Sequence, residues 1–264
     1  MTRRSQTDQT YRPAEAWRGM LAAAAMAVLP VAAEAQDGGG DWTYNMSLYL
    51  WGAGQEGTTT VADGFPPAEV ELSFGDILDV LDFATFAAGN ANNGRFGLTV
   101  DLGYVNTGES ADTPGTAFGG VEIDTETTFL TVTGEYLLAS TPRSKLWASG
   151  GLRYWDVSTD IDFSAGTSAA TSVGSGDSWV DPVVGLRGTA DLSENSYMTG
   201  WFYGGGFGAG SEEMYDVFGG LGYRFTPRTN GIVGYRYYSV DREDGEFTYD
   251  VSQQGPILGV VFGF

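Results

Sequence analysis

Nine charged side chains carry most of the chemistry this 264-residue chain offers: Arg153, Arg187, Arg224 and Arg236 against Asp101, Glu135, Asp181, Asp191 and Asp216. Guanidinium and carboxylate groups can pair, fill a polar interior, or line a passage for ions. The sequence contains no His and no Cys, so neither an imidazole base nor a thiolate nucleophile exists. Paired carboxylates could share a proton, but with 34 acidic residues such pairs arise by chance. No enzyme activity, cofactor or metal is therefore expected. The acidic run 241–247 (DREDGEF) has its glycine at the fifth position, where an EF-hand loop needs it at the sixth. The run 204–210 (GGGFGAG) lies inside a predicted strand with no helix behind it, which removes a phosphate-loop reading.

These residues act together only if the chain brings them to one side of a sheet. After Asp41 the sequence becomes a series of segments with two-residue alternation. In 42–52, Tyr44, Met46, Leu48 and Leu50 share one face, with Asn45 and Ser47 on the other. In 95–105, Phe96, Leu98, Val100, Leu102 and Tyr104 oppose a small or polar face that includes Asp101. In 178–192, Val180, Pro182, Val184, Leu186, Ala190 and Leu192 oppose Asp181, Arg187, Thr189 and Asp191. Arg153, Arg224 and Arg236 also sit on the small-or-polar faces of their segments.

Ten strands follow, at 42–52, 83–92, 95–105, 123–138, 145–157, 178–192, 197–209, 213–225, 231–241 and 247–264. Short connections (92–94, 140–144, 193–196, 226–230) alternate with longer ones (54–82, 106–122, 158–177) and with brief ones near 210–212 and 242–246. Short turns on one side and longer loops on the other are the pattern of an outer-membrane barrel. The expected fold is an all-β, antiparallel, up-and-down transmembrane barrel of about 10 strands, with 8 or 12 as alternatives. A charge facing lipid at midplane would cost about 2–4 kcal/mol, so the nine charges are assigned to the lumen. Aromatics near strand ends, among them Trp147, Trp155, Trp179 and Tyr238, are assigned to the two interfacial belts. Residues 197–209 resist assignment, because aromatics occur on both parities.

The ends and the first long loop add detail. Arg3, Arg4, Arg12 and Arg18 precede the apolar stretch Met20–Ala33, and Ala33-Glu34-Ala35 follows it. The stretch is too short to span a bilayer as a helix and reads as a secretory signal over 1–35, with the barrel over 36–264. In 73–83 (SFGDILDVLDF) the alternation breaks, and Ile77, Leu78 and Leu81 fall on one helical face, with Asp79 opposite and Asp76 as N-cap. This short helix is a candidate plug or gate. The final strand sets Leu258, Val260, Phe262 and Phe264 on one face and Gly259 and Gly263 on the other. Gly259, Phe262 and Phe264 match the C-terminal assembly signal of outer-membrane proteins.

Several segments resemble a family of proteobacterial outer-membrane β-barrel proteins that is itself uncharacterised. They include LYLWGAGQEGTTTV, SFGDILDVLDF, WVDPVVGLR, GLGYRF, GYRYYSVD and GEFTYDVSQQGPILGVVFGF. The resemblance implies an outer-membrane location in a Gram-negative envelope and brings no substrate. The formal charge of −21 excludes nucleic acid as a partner. Expected partners are outer-membrane lipid, lipopolysaccharide and the barrel-assembly machinery. The leading expectation is a small porin-like passive channel for ions or small solutes. The alternative is a closed structural or adhesive barrel acting through acidic extracellular loops.

Overall fold

The computed structural model describes residues 41–113 and 115–264. The predicted signal segment 1–35 lies outside the described residues. The elements are β1 (Thr43–Trp51), β2 (Gly54–Thr59), β3 (Ala68–Leu72), α1 (Phe74–Asp79), β4 (Leu81–Asn92), β5 (Phe96–Ala111), β6 (Phe118–Ser140), β7 (Ser144–Ala165), β8 (Thr171–Asp191), β9 (Ser196–Gly206), β10 (Glu213–Thr226), β11 (Thr229–Asp244) and β12 (Phe247–Gly263). From β4 to β12 each strand pairs antiparallel with the next, and β1 pairs with both β4 and β12. The result is a closed barrel of ten strands, which leaves no free sheet edge to face lipid.

The two additional strands explain the first long connection. β1 pairs with β12 from Asn45↔Gly263 to Trp51↔Ile257, and β2 resumes the same ladder from Gly54↔Gln254 to Thr59↔Tyr249. β2 therefore prolongs the line of β1 after a break at Gly52 and Ala53. At that break Gly255 lies so close to the opposite strand that a Cβ would stand 2.0 Å from the Gly52 carbonyl oxygen. β3 folds back on β2. Residues 54–82, expected as a long connection carrying one short helix, thus hold a hairpin as well as that helix.

Two other expected loops are mostly strand. β5 continues through Ala111 and β6 begins at Phe118, so 106–122 contains only a brief turn. β7 continues to Ala165 and β8 begins at Thr171, which reduces 158–177 in the same way. A transmembrane strand needs about 9–11 residues, whereas β6, β7 and β8 have 23, 22 and 21. They extend well beyond the bilayer on the side opposite the short turns. There Thr159 and Ser175 are still buried inside, but small polar residues fall on both parities of β5 and β8, which blurs the alternation while the ladder hydrogen bonds persist.

Within the membrane band the alternation holds. Val184 is 55% exposed and its neighbour Val183 is 1% exposed. Leu258, Val260, Phe262 and Phe264 face outward, and Ile257 is buried inside. In β9, which the sequence left unassigned, Tyr203 is buried within the barrel while Met198 and Phe202 point out. The belt assignment needs correction at four residues: Trp147, Trp155, Trp179 and Tyr238 are all buried in the interior. Each shares parity with an inward polar residue, Trp147 and Trp155 with Arg153 and Trp179 with Asp181.

Val184→Arg places a guanidinium on the lipid face near midplane and should destabilise the barrel by about 2–4 kcal/mol. Reversible denaturant unfolding in lipid vesicles reads this directly. An unchanged midpoint would mean that this face does not contact lipid.

Candidate functional site

The interior is organised around Asp216, which β10 points inward between Met214 and Phe218. Two arginines reach it from other strands. Arg236 on β11 donates from Nε to Oδ1 at 2.9 Å and from Nη2 to Oδ2 at 2.6 Å. Arg153 on β7 pairs with Oδ2 through Nη2. The network spreads further around the wall. Arg236 Nη2 also meets Asp101 Oδ2 on β5 at 2.8 Å, and its Nη1 meets the Tyr49 hydroxyl on β1 at 3.0 Å. The Tyr49 hydroxyl donates to Asp101 Oδ1 at 2.6 Å. Arg153 Nε donates to Thr131 Oγ1 on β6 at 2.6 Å, and Trp201 Nε1 on β9 to Asp216 Oδ1 at 2.9 Å.

Two cations and two anions thus balance in a layer joined to β1, β5, β6, β7, β9, β10 and β11. The centre of the layer is buried: Arg153 and Arg236 are 1% exposed and Asp216 is 0%, while the Asp101 side chain at its edge is 13% exposed. Aromatic rings surround both guanidinium groups. Arg153 lies 5.5–5.6 Å from the centroids of Phe129, Trp155 and Tyr238, and Arg236 lies 5.2–5.4 Å from Trp51, Phe129 and Trp201. Contacts of this kind are favourable when desolvated.

Above this layer, towards the extended strand ends, the lumen becomes apolar. Trp155 stacks on Trp179 at 5.9 Å and meets Tyr238 at 5.0 Å, and Trp179 touches Phe247 and Tyr249. Val157, Val240 and Val251 complete the packing. Asp181, expected among the arginine partners, is bound otherwise. It accepts from the Ser211 backbone N–H at 2.6 Å, the Ser211 hydroxyl at 2.9 Å and Trp179 Nε1 at 3.2 Å. The tip of the β2–β3 hairpin covers this region. Thr60 exchanges backbone and hydroxyl bonds with Thr248, the Asp63 N–H donates to the Gly174 carbonyl at 3.0 Å, and Ala62 is buried. Arg242 joins β11 to β8 through Asp177 at 2.7 Å, an ion pair the sequence reading missed because both residues lay in apparent loop.

Below the layer, towards the short turns, two further ion pairs form among the nine residues assigned to the lumen. Arg187 holds Glu135 bidentately at 2.6 and 2.7 Å and lies 4.3 Å from the Trp147 ring centroid. Arg224 pairs with Asp191 and lies 4.7 Å from the Tyr197 ring centroid.

The helix is not a plug. Ser73 is its N-cap, and Asp76 is the third helical residue, closing a capping box with Ser73 rather than capping the helix itself. No α1 residue is buried. Leu78 is exposed, Ile77 half-buried, and Asp79 ends the helix, while Leu81 already belongs to β4 and pairs with Thr107. The excursion packs on β2 and β3, with Phe74 against Gly52, outside the lumen. Serine was the better N-cap candidate in the sequence, since Ser-x-x-Asp fits a capping box.

Beyond the bilayer, the extended β6–β7 ladder sets Asp124 opposite Asp160 and Glu122 opposite Asp162. Burial raises the Asp160 carboxyl above its ordinary 3.8, and the charges of Asp162 and Asp124 add to that.

No family model and no curated protein sequence matches the chain. The resemblance drawn from its motifs thus reduces to the barrel itself. Among solved structures it is similar to the outer membrane protease OmpT from Escherichia coli, with a TM-score of 0.53, 11% identity, and coverage of 85% of this chain and 97% of OmpT. The translocator domain of autotransporter NalP from Neisseria meningitidis matches at TM-score 0.42 and 13% identity, over 93% of this chain and 97% of that one. Ail, the attachment invasion locus protein of Yersinia pestis, matches at TM-score 0.31 and 13% identity, over 85% and 99%. The chain has the fold of a Gram-negative outer-membrane β-barrel. At such identity the likeness carries the fold alone, and proteolysis is a property of OmpT.

Asp216→Asn removes the shared counter-charge of two buried guanidinium groups and should cost about 3–5 kcal/mol. The unfolding midpoint of the variant in lipid measures it; a loss within error would mean that water reaches Arg153 and Arg236. A carboxyl whose folded pKa is raised stabilises below its unfolded value and loses that stability as pH rises through the folded one. For Asp160 this window lies just above 3.8. The outer β6–β7 ladder should therefore open less often at about pH 4 than at about pH 7. Hydrogen exchange corrected for intrinsic rates checks this, and faster opening in acid would contradict it.

Proposed function

We propose that the protein is a closed barrel, a stable outer-membrane platform whose working surface is its acidic extracellular crown, rather than a porin-like channel. One observation carries the reading: the buried layer in which Arg153 and Arg236 meet on Asp216 crosses the lumen from several walls. A conducting pore needs a wetted path with weakly held ions. Here the charges are neutralised pairwise, ringed by aromatics, and topped by an apolar layer and the β2–β3 tip. The strands that rise beyond the bilayer carry Glu122, Asp124, Asp160 and Asp162, which suits them to cationic surfaces or to divalent ions held between them and lipopolysaccharide. Lipid surrounds the apolar band, and the strand ending in Gly259, Phe262 and Phe264 serves as the signal to the assembly machinery.

Planar-bilayer recording from protein shown to be folded tests this proposal. Silence is expected from the native protein, and also after deletion of Ser73–Val80, since that helix lies outside the lumen. Stable, cation-selective steps from the native protein would restore the channel reading.

A further inference from the structure

The lumen is closed above the Asp216 layer but open below it. At the end of the short turns lies a cavity of about 440 Å³, roofed by Trp201 and Ile232. Trp201 bonds to Asp216, so the roof is the underside of the closed layer. Four cations line this cavity, Arg143, Lys145, Arg187 and Arg224, against one carboxylate, Asp191. Glu135, behind the wall, is held by Arg187 and by Asn90 Nδ2 at 3.2 Å. Counting it still leaves an excess of two positive charges, inside a chain of formal charge −21.

Two of these cations, Arg143 in the β6–β7 turn and Lys145 at the start of β7, are exposed at the mouth of the cavity. Neither has an ion-pair partner among the described residues. Between them and the roof stands Trp147. It is 3% exposed and lines the cavity, and its indole N–H has no hydrogen-bond partner among the described residues. The Arg187 guanidinium lies 4.3 Å from its ring centroid and the Lys145 ammonium 6.0 Å. The ammonium and guanidinium groups are all donors, the Trp147 ring lies beside them with its indole N–H buried behind the lining, and the nearby buried acceptor, Glu135, is already engaged. Such a surplus of donors suits an anion with several oxygens, which guanidinium groups bind in a fork and ammonium groups bind as point charges.

We propose that this cavity is a periplasmic binding site for a small oxyanion, a free phosphate or carboxylate or such a group on a small solute. Entry is from the periplasm, past the short turns. The inference holds independently of the closed-barrel reading, since these residues line the cavity whether or not ions can pass the layer above.

The test uses the folded protein in zwitterionic detergent at constant ionic strength, titrated with inorganic phosphate and separately with succinate. The readout is the indole N–H resonance of Trp147, assigned with Trp147→Phe. A saturable shift is expected. The Arg143→Gln/Lys145→Gln double variant, which disturbs no ion pair, should bind about tenfold more weakly. Arg95→Gln alters a cation that lies by the outward Phe96 and Tyr136 rings and should leave affinity unchanged. Saturation by one probe alone identifies the oxyanion class, and saturation by both supports the shared chemistry. A linear, unsaturated response to both probes would overturn the proposal. So would equal affinity in a double variant whose Trp51 and Trp155 resonances show it to be folded.

Discussion

A buried carboxylate shared by two buried guanidinium groups is the constraint on which this barrel depends. Taking an ion out of water costs several kcal/mol even after relaxation, so Asp216, Arg153 and Arg236 tolerate burial only as a set. The set needs residues from opposite walls to arrive at one height. That requirement fixes the relative stagger of β7, β10 and β11, and through Asp101, Tyr49 and Thr131 that of β5, β1 and β6. Whether the network stabilises the barrel more than packed hydrocarbon would is a separate question from whether it specifies register. Its geometry speaks to register: a slip of one residue on any of these strands would turn the partner outward into lipid.

The second constraint follows from the first. A barrel wall of alternating faces has a polar side and an apolar side, and the lipid takes the apolar one. The lumen must then be either wet or filled. This chain fills it in tiers: charge pairs flanked by rings, then Trp155, Trp179, Tyr238 and Tyr249, then the β2–β3 tip. Small residues opposite large ones make the tiers fit. Gly103 leaves room for the Phe129 ring, since a Cβ there would stand 2.2 Å from it.

The sequence was legible wherever the two faces of a strand met different solvents. Ten wall strands, their inward charges and the apolar C-terminal stripe all follow from parity within the bilayer. Parity failed in two ways. Above the membrane, small polar residues occur on both parities of β5 and β8, so 106–122 and 158–177 showed too weak an alternation to read as strand, although their ladders persist. Near strand ends, Trp147, Trp155, Trp179 and Tyr238 were assigned by type and height to the interfacial belts, although their parity already placed them with Arg153, Asp181 and Arg236. Following parity over residue type would have found the filled lumen. The bond from Ser211 to Asp181 was not legible, because it depends on how the turn before β10 folds back over β8. The β2–β3 tip was hidden for the same reason: its contacts with Thr248 and Gly174 join distant segments and leave no local pattern.

The vertical asymmetry of the charges follows from where the closure lies. The Asp216 layer and the apolar packing beyond it close the lumen towards the extended strand ends, and the cavity lies on the side of the short turns; in the reading proposed above, that leaves it open to the periplasm. An acidic crown and a cationic vestibule can then coexist in one small protein without neutralising each other. On β7 alone, 15 residues of strand and a low-dielectric plug separate Asp160 from Lys145, on a scale of tens of ångströms, while free charges in salt are screened within about 8 Å. Of the nine cations in the described residues, Arg153 and Arg236 hold the closure and Arg143, Lys145, Arg187 and Arg224 line the space beneath it. A chain that spends most of its scarce positive charge along one axis of the barrel has divided that axis into two compartments, with Asp216 at the boundary.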